Sequence, residues 1–505
     1  MAEFTFVHAA DLHLDAPFRG VSDMLLSAFS HTGRSGASER LARLLREATF
    51  IALRRLTELC IHEKADFLLL AGDVYNSADS SLRARLALRD SFARLEEHGV
   101  RVFLAHGNHD PLSPDVSAIP WPGNVTVFGR RLDSCQLTRQ GELLAVIHGV
   151  SHTGPKENNN LARLFKDKGL APHAPDVFQA GLLHCALTGS SGEHALYAPC
   201  AFSDLAAADM DYWALGHVHA CRMLDGQGRT LPDCRDDFSP VCADGGEATH
   251  APSGRSKEHG SDPLRPFAAY PGSPQGLHVN ETGPHGCLLL RASGKEILAA
   301  EFVPLAPVRW ESLHVEIPPN TSDIPSLETL LLETLSTLAL RHGCVHGEED
   351  LPHGISAGMR SAAEKRAAPR RRYSPEAIIA RLILHGRSEL NHELRKKGTD
   401  ALLGERLNDE LDGVGMWIRD VAVNTRPLTD LAAGRERSDI VGATLRRAFS
   451  LQQDPEALAV VAEQSLAPLF QRPKLSKVLS APQDEELFLL AEEAALLCLD
   501  LLEGE

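Results

Sequence analysis

The chain has 505 residues, of which 43% are hydrophobic and 24% are charged. This composition is typical of a globular protein, and the length predicts two or three domains. The formal net charge of -17 argues against a general polyanion-binding protein. No apolar run approaches the roughly 20 residues that cross a bilayer. The N-terminus enters a strand-like segment without a basic region or cleavage site, so we expect a cytoplasmic protein with no membrane contact.

Apolar strand-like runs alternate with helical patterns up to about residue 224. Strands are predicted at residues 4–9, 67–71, 101–105, 143–148, 177–183 and 211–215. Between the first two, apolar residues recur at steps of three and four, as on the buried face of a helix: Leu41, Leu45, Ala48, Ala52, Leu56 and Leu59. This alternation predicts an α/β layered domain. We place it at residues 1–305, with a polar insertion at 221–266 and a further strand near 286–291.

A smaller α+β capping domain is predicted at residues 306–425. Its strands are expected at 312–317, 377–384 and 416–423, with helices near 325–341 and 390–411. A polar insertion at 344–374 carries basic side chains, which form either a solvated loop or a DNA contact: Arg360, Lys365, Arg366, Arg370, Arg371 and Arg372.

Residues 426–505 are predicted to form a helical C-terminal region. Its last part carries apolar residues at steps of three and four: Leu487, Leu490, Ala494, Leu497 and Leu501. Such a stripe is either ordinary core or a face that binds a partner.

The ten cysteines are scattered and form no CxxC pair. Cys221, Cys234 and Cys242 share one polar stretch and are candidates for zinc. Their spacing fits no compact ligand framework, so free thiols are expected.

Metal-ligand residues follow five of the predicted strands: Asp11 and His13, then Asp73, then Asn108, His109 and Asp110, then His184, then His217 and His219. In an open α/β sheet, functional groups gather beyond the carboxyl ends of the strands, so these side chains should meet at one edge. Carboxylate, amide and imidazole donors without thiolate favour Mn²⁺, Fe²⁺ or Zn²⁺ over Ca²⁺. A carboxylate such as Asp73 can bridge two ions about 3.5–4 Å apart. One histidine after a strand is usually an ordinary residue, but this recurrence predicts a two-metal centre.

The order of these motifs resembles the calcineurin-like metallophosphoesterase superfamily: Asp-x-His, Gly-Asp, Gly-Asn-His-Asp, His, then Gly-His-x-His. Within it, the sequence is similar to SbcD-type DNA repair exonucleases, especially their bacterial YhaO-like branch. Further resemblance lies in residues 8–18 (HAADLHLDAPF), 270–276 (YPGSPQG) and 281–283 (ETG). It is dense over residues 4–290 and looser to about 425. It implies a layered sandwich of two mixed sheets flanked by helices.

The resemblance also implies roles for the residues. One metal would be held by Asp11, His13 and His219, the other by Asn108, His184 and His217, and Asp73 would bridge them. His109 would stabilise the pentavalent phosphate or protonate the leaving oxygen, and Asp110 would orient the imidazole of His109. Asn76 stands where related nucleases often have histidine and related phosphatases aspartate. We assign it to substrate binding, and the exchange puts exonuclease efficiency in question.

The function implied by the resemblance is cleavage of phosphodiesters in DNA by a pair of metal ions, with Mn²⁺ preferred. It also implies an SMC-like, SbcC-type ATPase partner that is bound by the C-terminal helices, and a homodimer. Two other functions stay open. A phosphatase or nucleotide pyrophosphatase for small substrates would use the same metal pair, and the acidic chain favours it. A non-catalytic scaffold subunit of an ATPase complex is disfavoured by the complete ligand set.

Overall fold

The computed structural model describes residues 2–20, 35–76, 81–112, 120–166, 176–188, 197–232, 264–344, 373–411, 413–428, 431–470 and 484–503. The chain forms two compact units. The first comprises Met1–Leu313, Thr329–Leu382 and Leu403–Val421, and the second comprises His314–Glu328, Ile383–Leu402 and Ala422–Glu505. The domain boundaries predicted at 305 and 425 stay predictions. Most of both predicted polar insertions lies outside the described residues, including Cys234, Cys242 and the basic residues between 360 and 372.

The strands, in chain order, are β1 (Glu3–Ala9), β2 (Phe67–Ala71), β3 (Arg101–Ala105), β4 (Val125–Val127), β5 (Asp133–Arg139), β6 (Glu142–Gly149), β7 (Phe178–His184), β8 (Tyr212–Gly216), β9 (Arg222–Leu224), β10 (Ala268–Tyr270), β11 (Gly286–Ser293), β12 (Glu296–Pro304), β13 (Val308–Glu316), β14 (Ala377–His385), β15 (Arg387–Ser388), β16 (Met416–Val423) and β17 (Arg426–Pro427). The helices are α1 (Ser35–His62), α2 (Leu82–Glu97), α3 (Phe202–Ala206), α4 (Ile324–His342), α5 (Asn391–Leu394), α6 (Thr399–Glu410), α7 (Leu431–Arg435), α8 (Ile440–Gln452), α9 (Pro455–Phe470) and α10 (Asp484–Glu503), with a 3-10 helix at Leu161–Lys166.

Two six-stranded mixed sheets form the centre of the first unit. One has the order β12-β11-β1-β2-β3-β4, and the other has the order β5-β6-β7-β8-β10-β9. Strands β1 to β4 are parallel in the first sheet, and β6, β7, β8 and β10 are parallel in the second. Parallel strands end at the same edge, so the loops that follow them lie together.

The sequence of β2 shows why the sheets form a layered sandwich. Phe67, Leu69 and Ala71 belong to the core between the two sheets, whereas Leu68 and Leu70 belong to the core under helices α1 and α2. Successive side chains of a strand point to opposite faces, so a strand that is apolar at every position is buried on both. This arrangement confirms the predicted α/β sandwich of two mixed sheets flanked by helices.

The predicted apolar stripe of α1 is buried, from Leu41 to Leu59. The N-terminal half of the helix packs with residues of β13 and β14, among them Val308, Trp310 and Ala377. Strands β13, β14 and β16 form a separate three-stranded sheet.

The second unit contains the helices of the C-terminal region. Val441 and Leu445 of α8 pack against Ala495 and Leu499 of α10. Asp500 accepts a hydrogen bond from Arg387 at 2.8 Å. In the described part of the chain, no helix has the length and apolarity needed to cross a membrane.

Two predicted elements have different bounds in the structure. The helix expected at 390–411 is two helices, α5 and α6, because Gly398 adopts φ +89° between them. The strand expected at 312–317 begins earlier, at Val308. Strands β5 and β12 were not predicted.

Candidate metal centre

The loops that carry the predicted ligands have an unusual backbone. Asp11, His13, Asp73 and His217 all have positive φ, at 53°, 41°, 52° and 106°. Residues other than glycine avoid this region because Cβ meets the backbone, and each instance costs about 1–3 kcal/mol. Hydrogen bonds between the loops hold the backbone in this conformation. Asp11 N–H donates to Gly72 O at 3.0 Å, and His13 N–H donates to Asp73 O at 3.0 Å.

One group of donor atoms comes from Asp11, His13 and His219, and these atoms lie within 4.8 Å of one another. The Nε2 atoms of the two histidines are 3.3 Å apart. This group joins the loop after β1 to the loop after β8, as the motif order predicts.

The Nδ1 atom of each of these two imidazoles contacts a side-chain oxygen. His13 Nδ1 donates to Asn76 Oδ1 at 2.9 Å, and His219 Nδ1 lies 2.6 Å from Glu281 Oε1. When Nδ1 donates to an acceptor, the Nε2 lone pair is left for a metal ion. The structure therefore places Asn76, which we assigned to substrate binding, behind a predicted ligand. Glu281 was not among the predicted site residues, although the segment 281–283 was part of the resemblance.

The second group of donors is Asp11, Asp73 and His184, again within 4.8 Å. His184 Nε2 lies 3.4 Å from Asp73 Oδ2 and 3.0 Å from Asn108 Oδ1. The same Asp73 Oδ2 lies 4.0 Å from His13 Nε2. Asp73 therefore lies between the two groups, at the position of a bridging carboxylate.

His217 completes the set on the side of the second group. Its ring centroid is 5.3 Å from that of His184, and its backbone N–H donates to both carboxylate oxygens of Asp11, at 3.1 and 3.0 Å. His184 Nδ1 donates to Ala71 O at 2.9 Å, which fixes that ring against the end of β2. The structure thus brings all the predicted ligands to one edge of the sandwich.

The electrostatics of this cluster fit divalent cations. Burial raises the pKa of Asp11 to about 6, and burial together with nearby carboxylates raises the pKa of Asp73 well above its usual value. Burial lowers the pKa of His13 to about 3 and that of His184 well below its usual value. Neutral imidazoles are the form that binds metals, and a cation relieves the repulsion between buried carboxylates. His219 differs from these two rings, because burial is outweighed by its hydrogen bond to Glu281 and by the charge of Asp11, which raise its pKa, so that its Nε2–H can donate to His13 Nε2 when no metal is bound.

Asp110 ties the metal loops together through its carboxylate. Oδ1 accepts the backbone N–H groups of Asp73 at 3.1 Å and Gly107 at 2.7 Å. Oδ2 accepts Val74 N–H at 3.1 Å and lies 3.1 Å from His106 Nδ1. Burial alone would raise the pKa of Asp110, but His106 and the N–H donors hold it below its usual value. The predicted role in orienting the neighbouring histidine stays a prediction.

His109 lies at the exposed side of the centre. Its backbone N–H donates to Asp73 Oδ1 at 2.8 Å, and its ring centroid is 5.0 Å from that of His13. The partial burial of the ring, then the positive charges of His219 and Arg19, lower its pKa. The imidazole therefore lies beside a predicted ligand on the exposed side of the cluster, and its action on a phosphate stays a prediction.

The segment 270–276 supports the last histidine loop. Ser273 N–H donates to His219 O at 3.0 Å, and a Cβ at Gly272, whose φ is +79°, would lie 2.7 Å from the same oxygen. Ser273 Oγ lies 2.9 Å from His285 Nδ1, and His285 Nε2 lies 3.1 Å from Glu281 O. The two turn-rich segments of the resemblance therefore form one support for His219 and Glu281.

The chain is similar in sequence to known proteins. The model of the calcineurin-like phosphoesterase family matches residues 4–221. The uncharacterized metallophosphoesterase YhaO of Bacillus subtilis (strain 168) is 32% identical over 339 residues, which cover 67% of this chain and 69% of that protein. The structure of GAP50, the anchor in the inner membrane complex of Plasmodium, matches with a TM-score of 0.32 and 11% identity, over 60% of this chain and 85% of that one. The chain belongs to the calcineurin-like phosphoesterase family of metal-dependent phosphoester hydrolases, whose members hold two divalent metal ions.

Proposed function

We propose that this protein is a two-metal phosphodiesterase that cleaves DNA and uses Mn²⁺. The observation that carries the proposal is the position of Asp73 Oδ2 between His13 and His184, with His109 on the exposed side. Oxygen and nitrogen donors without thiolate favour Mn²⁺, and also Fe²⁺ or Zn²⁺.

The residues of the chain divide the work between holding metals and handling the phosphate. A pair of divalent cations supplies Lewis-acid charge and a nucleophilic water at neutral pH. Asp73 fixes the spacing of the two groups, and the Asn76 and Glu281 contacts hold two of the imidazoles in the ligand tautomer. His109 is placed to donate an N–H to a phosphate oxygen or a proton to the leaving oxygen.

DNA is proposed as the substrate because the motifs resemble SbcD-type nucleases and because the His109 side of the centre is exposed. A long phosphodiester chain requires such access, since most of it stays outside the site. The net charge of -17 favours the second candidate, a phosphatase or nucleotide pyrophosphatase that acts on a small ester. Both functions use the same metal pair.

The helical region supports a partner proposal. Leu490, Leu497 and Leu501 of the predicted stripe are 44%, 50% and 70% exposed, and the buried face of α10 carries Ala495 and Leu499 instead. Large apolar side chains that lie together in solvent often mark interaction surfaces. We propose that an SMC-like, SbcC-type ATPase binds this stripe, and that the protein also forms a homodimer. Binding of the ATPase should weaken in Leu497→Asp and Leu501→Asp variants, measured by calorimetric titration.

The test of the catalytic proposal is Mn²⁺-dependent cleavage of linear and single-stranded DNA by the purified protein, beside bis(p-nitrophenyl) phosphate as a small diester. His109→Ala should abolish turnover while metal binding persists, and His98→Ala, an exposed histidine at the end of α2, should change nothing. Cleavage of the small ester with DNA untouched would favour the second candidate. Inactivity on both substrates, with two metals bound, would favour the scaffold.

A further inference from the structure

A short β-bridge fixes two basic side chains next to each other. Arg19 and His278 are paired in parallel, and Arg19 N–H donates to Leu277 O at 2.7 Å. Residues paired across a bridge lie side by side, and their side chains leave the backbone on the same face. The bridge therefore holds the two side chains as neighbours, although both are partly or fully in solvent.

The same bridge ties this pair to the metal centre. The carboxylate of Glu281, which holds His219, also accepts the backbone N–H groups of Leu277 at 2.6 Å and His278 at 3.0 Å. On the other side, Arg19 belongs to the segment that follows His13. The charge of Arg19 adds to the burial that lowers the pKa of His109, and it partly offsets the rise in the pKa of His219 that the Glu281 contact causes. The guanidinium therefore lies within electrostatic reach of both rings.

Both side chains are available as donors. Arg19 is exposed and forms no ion pair with any residue that the structure describes. His278 Nδ1 accepts the backbone N–H of Asn280 at 3.1 Å, so the neutral ring carries its proton on Nε2. An Nε2–H group donates without needing a charge, and an arginine offers a fork that matches two phosphate oxygens.

We propose that Arg19 and His278 form a second phosphate subsite beside the metal centre, which binds the phosphodiester next to the scissile one. The inference rests on the proposed function, because it takes the substrate to be a chain of phosphodiesters. A substrate with a single phosphate leaves the subsite empty, so these two residues select oligonucleotides over small esters without touching the reacting atoms.

The test compares ligands with one and with two phosphodiesters. Thymidine dinucleotide and trinucleotide with phosphorothioate linkages, which resist cleavage, are titrated into the Mn²⁺-loaded protein in a calorimeter. We expect the trinucleotide to bind at least about tenfold more tightly than the dinucleotide, the value of one charge-assisted hydrogen bond. Arg19→Ala should reduce this ratio to about twofold, His278→Ala should reduce it by a smaller factor, and Arg19→Lys should restore part of it. Affinity for the dinucleotide, which has a single phosphodiester for the metal centre, should stay within about twofold in both alanine variants.

The matched control is Arg94→Ala, an exposed arginine in the last turn of α2. Because α2 runs back from the end of β2, Arg94 lies at the opposite edge of the sheet from the metal loops, and its removal should leave the ratio unchanged. The subsite would be overturned if the ratio of trinucleotide to dinucleotide affinity were the same in the wild type and in Arg19→Ala. It would be overturned in the same way if Arg19→Ala weakened the binding of both ligands by the same factor. Failure of the proposed function looks different, because DNA would then stay uncleaved whatever the binding ratio.

Discussion

Replacing Asp110 by asparagine tests whether its carboxylate organises the metal loops. The carboxylate accepts from three backbone N–H groups and from His106, and an amide offers only one acceptor oxygen. The orientation of the new amide that loses fewer hydrogen bonds turns its NH₂ group toward Val74 and His106, because the imidazole can change its tautomer and accept. One buried N–H then stays unpaired, which costs about 1–3 kcal/mol, and the lost charge of the acceptor adds about 1 kcal/mol. We therefore expect the free energy of unfolding to fall by about 2–4 kcal/mol.

The assay is urea denaturation of the metal-free protein at pH 7, where the lowered pKa keeps Asp110 fully ionised. The control is Asp133→Asn, because that exposed carboxylate accepts from the backbone N–H of Ser134 beside it. This control should change stability by less than about 0.5 kcal/mol. The organising role of Asp110 is refuted if Asp110→Asn costs less than about 1 kcal/mol of stability. It is also refuted if the variant loses turnover at unchanged stability and metal affinity, since the residue would then act on the substrate.

Three further substitutions probe the contacts around the ligands. Gly216→Ala places a Cβ 1.8 Å from the carbonyl oxygen at the end of β2 and should lower the free energy of unfolding by at least about 1–3 kcal/mol, whereas Gly226→Ala, with open space around it, should be neutral in the same urea titration. Asn76→Ala releases the imidazole it holds and should weaken Mn²⁺ binding by about 10- to 100-fold in calorimetry. Glu281→Gln should weaken Mn²⁺ binding over a similar range, about 10- to 100-fold. Unchanged Mn²⁺ affinity in Asn76→Ala would mean that His13 binds metal without the Asn76 contact. The same result in Glu281→Gln would mean that His219 does not need the carboxylate of Glu281.

The strand ends and their ligands could be predicted because each one follows a short apolar run. Strand β2 is apolar at every position, and Asp73 follows it after one glycine, so the pattern marks both the buried strand and the edge at which it stops. The parallel order then brings distant ligands such as His13 and His219 to the same edge. Here local sequence and tertiary structure agree.

The features that were missed have no pattern of residue types that marks them in the sequence. Strand β5 is largely polar and lies at a sheet edge, so neither periodicity nor hydrophobicity marks it. Asn76 and Glu281 look like ordinary polar residues until folding brings each to a histidine ring. The partners of Asp110 are mostly backbone N–H groups, which no side-chain pattern in the sequence reveals.

The left-handed backbone of four predicted ligands bears on how this protein could be engineered. Asp11 and Asp73 combine a strained φ with a buried charge, so the metal-free fold carries a cost at each of them. Asparagine tolerates that conformation better than most residues and carries no charge. Asp73→Asn should therefore raise the melting temperature in chelator while weakening metal binding, which is a trade between stability and activity. A screen for thermostability without added metal would select damaged centres, whereas a screen with Mn²⁺ present would keep them intact.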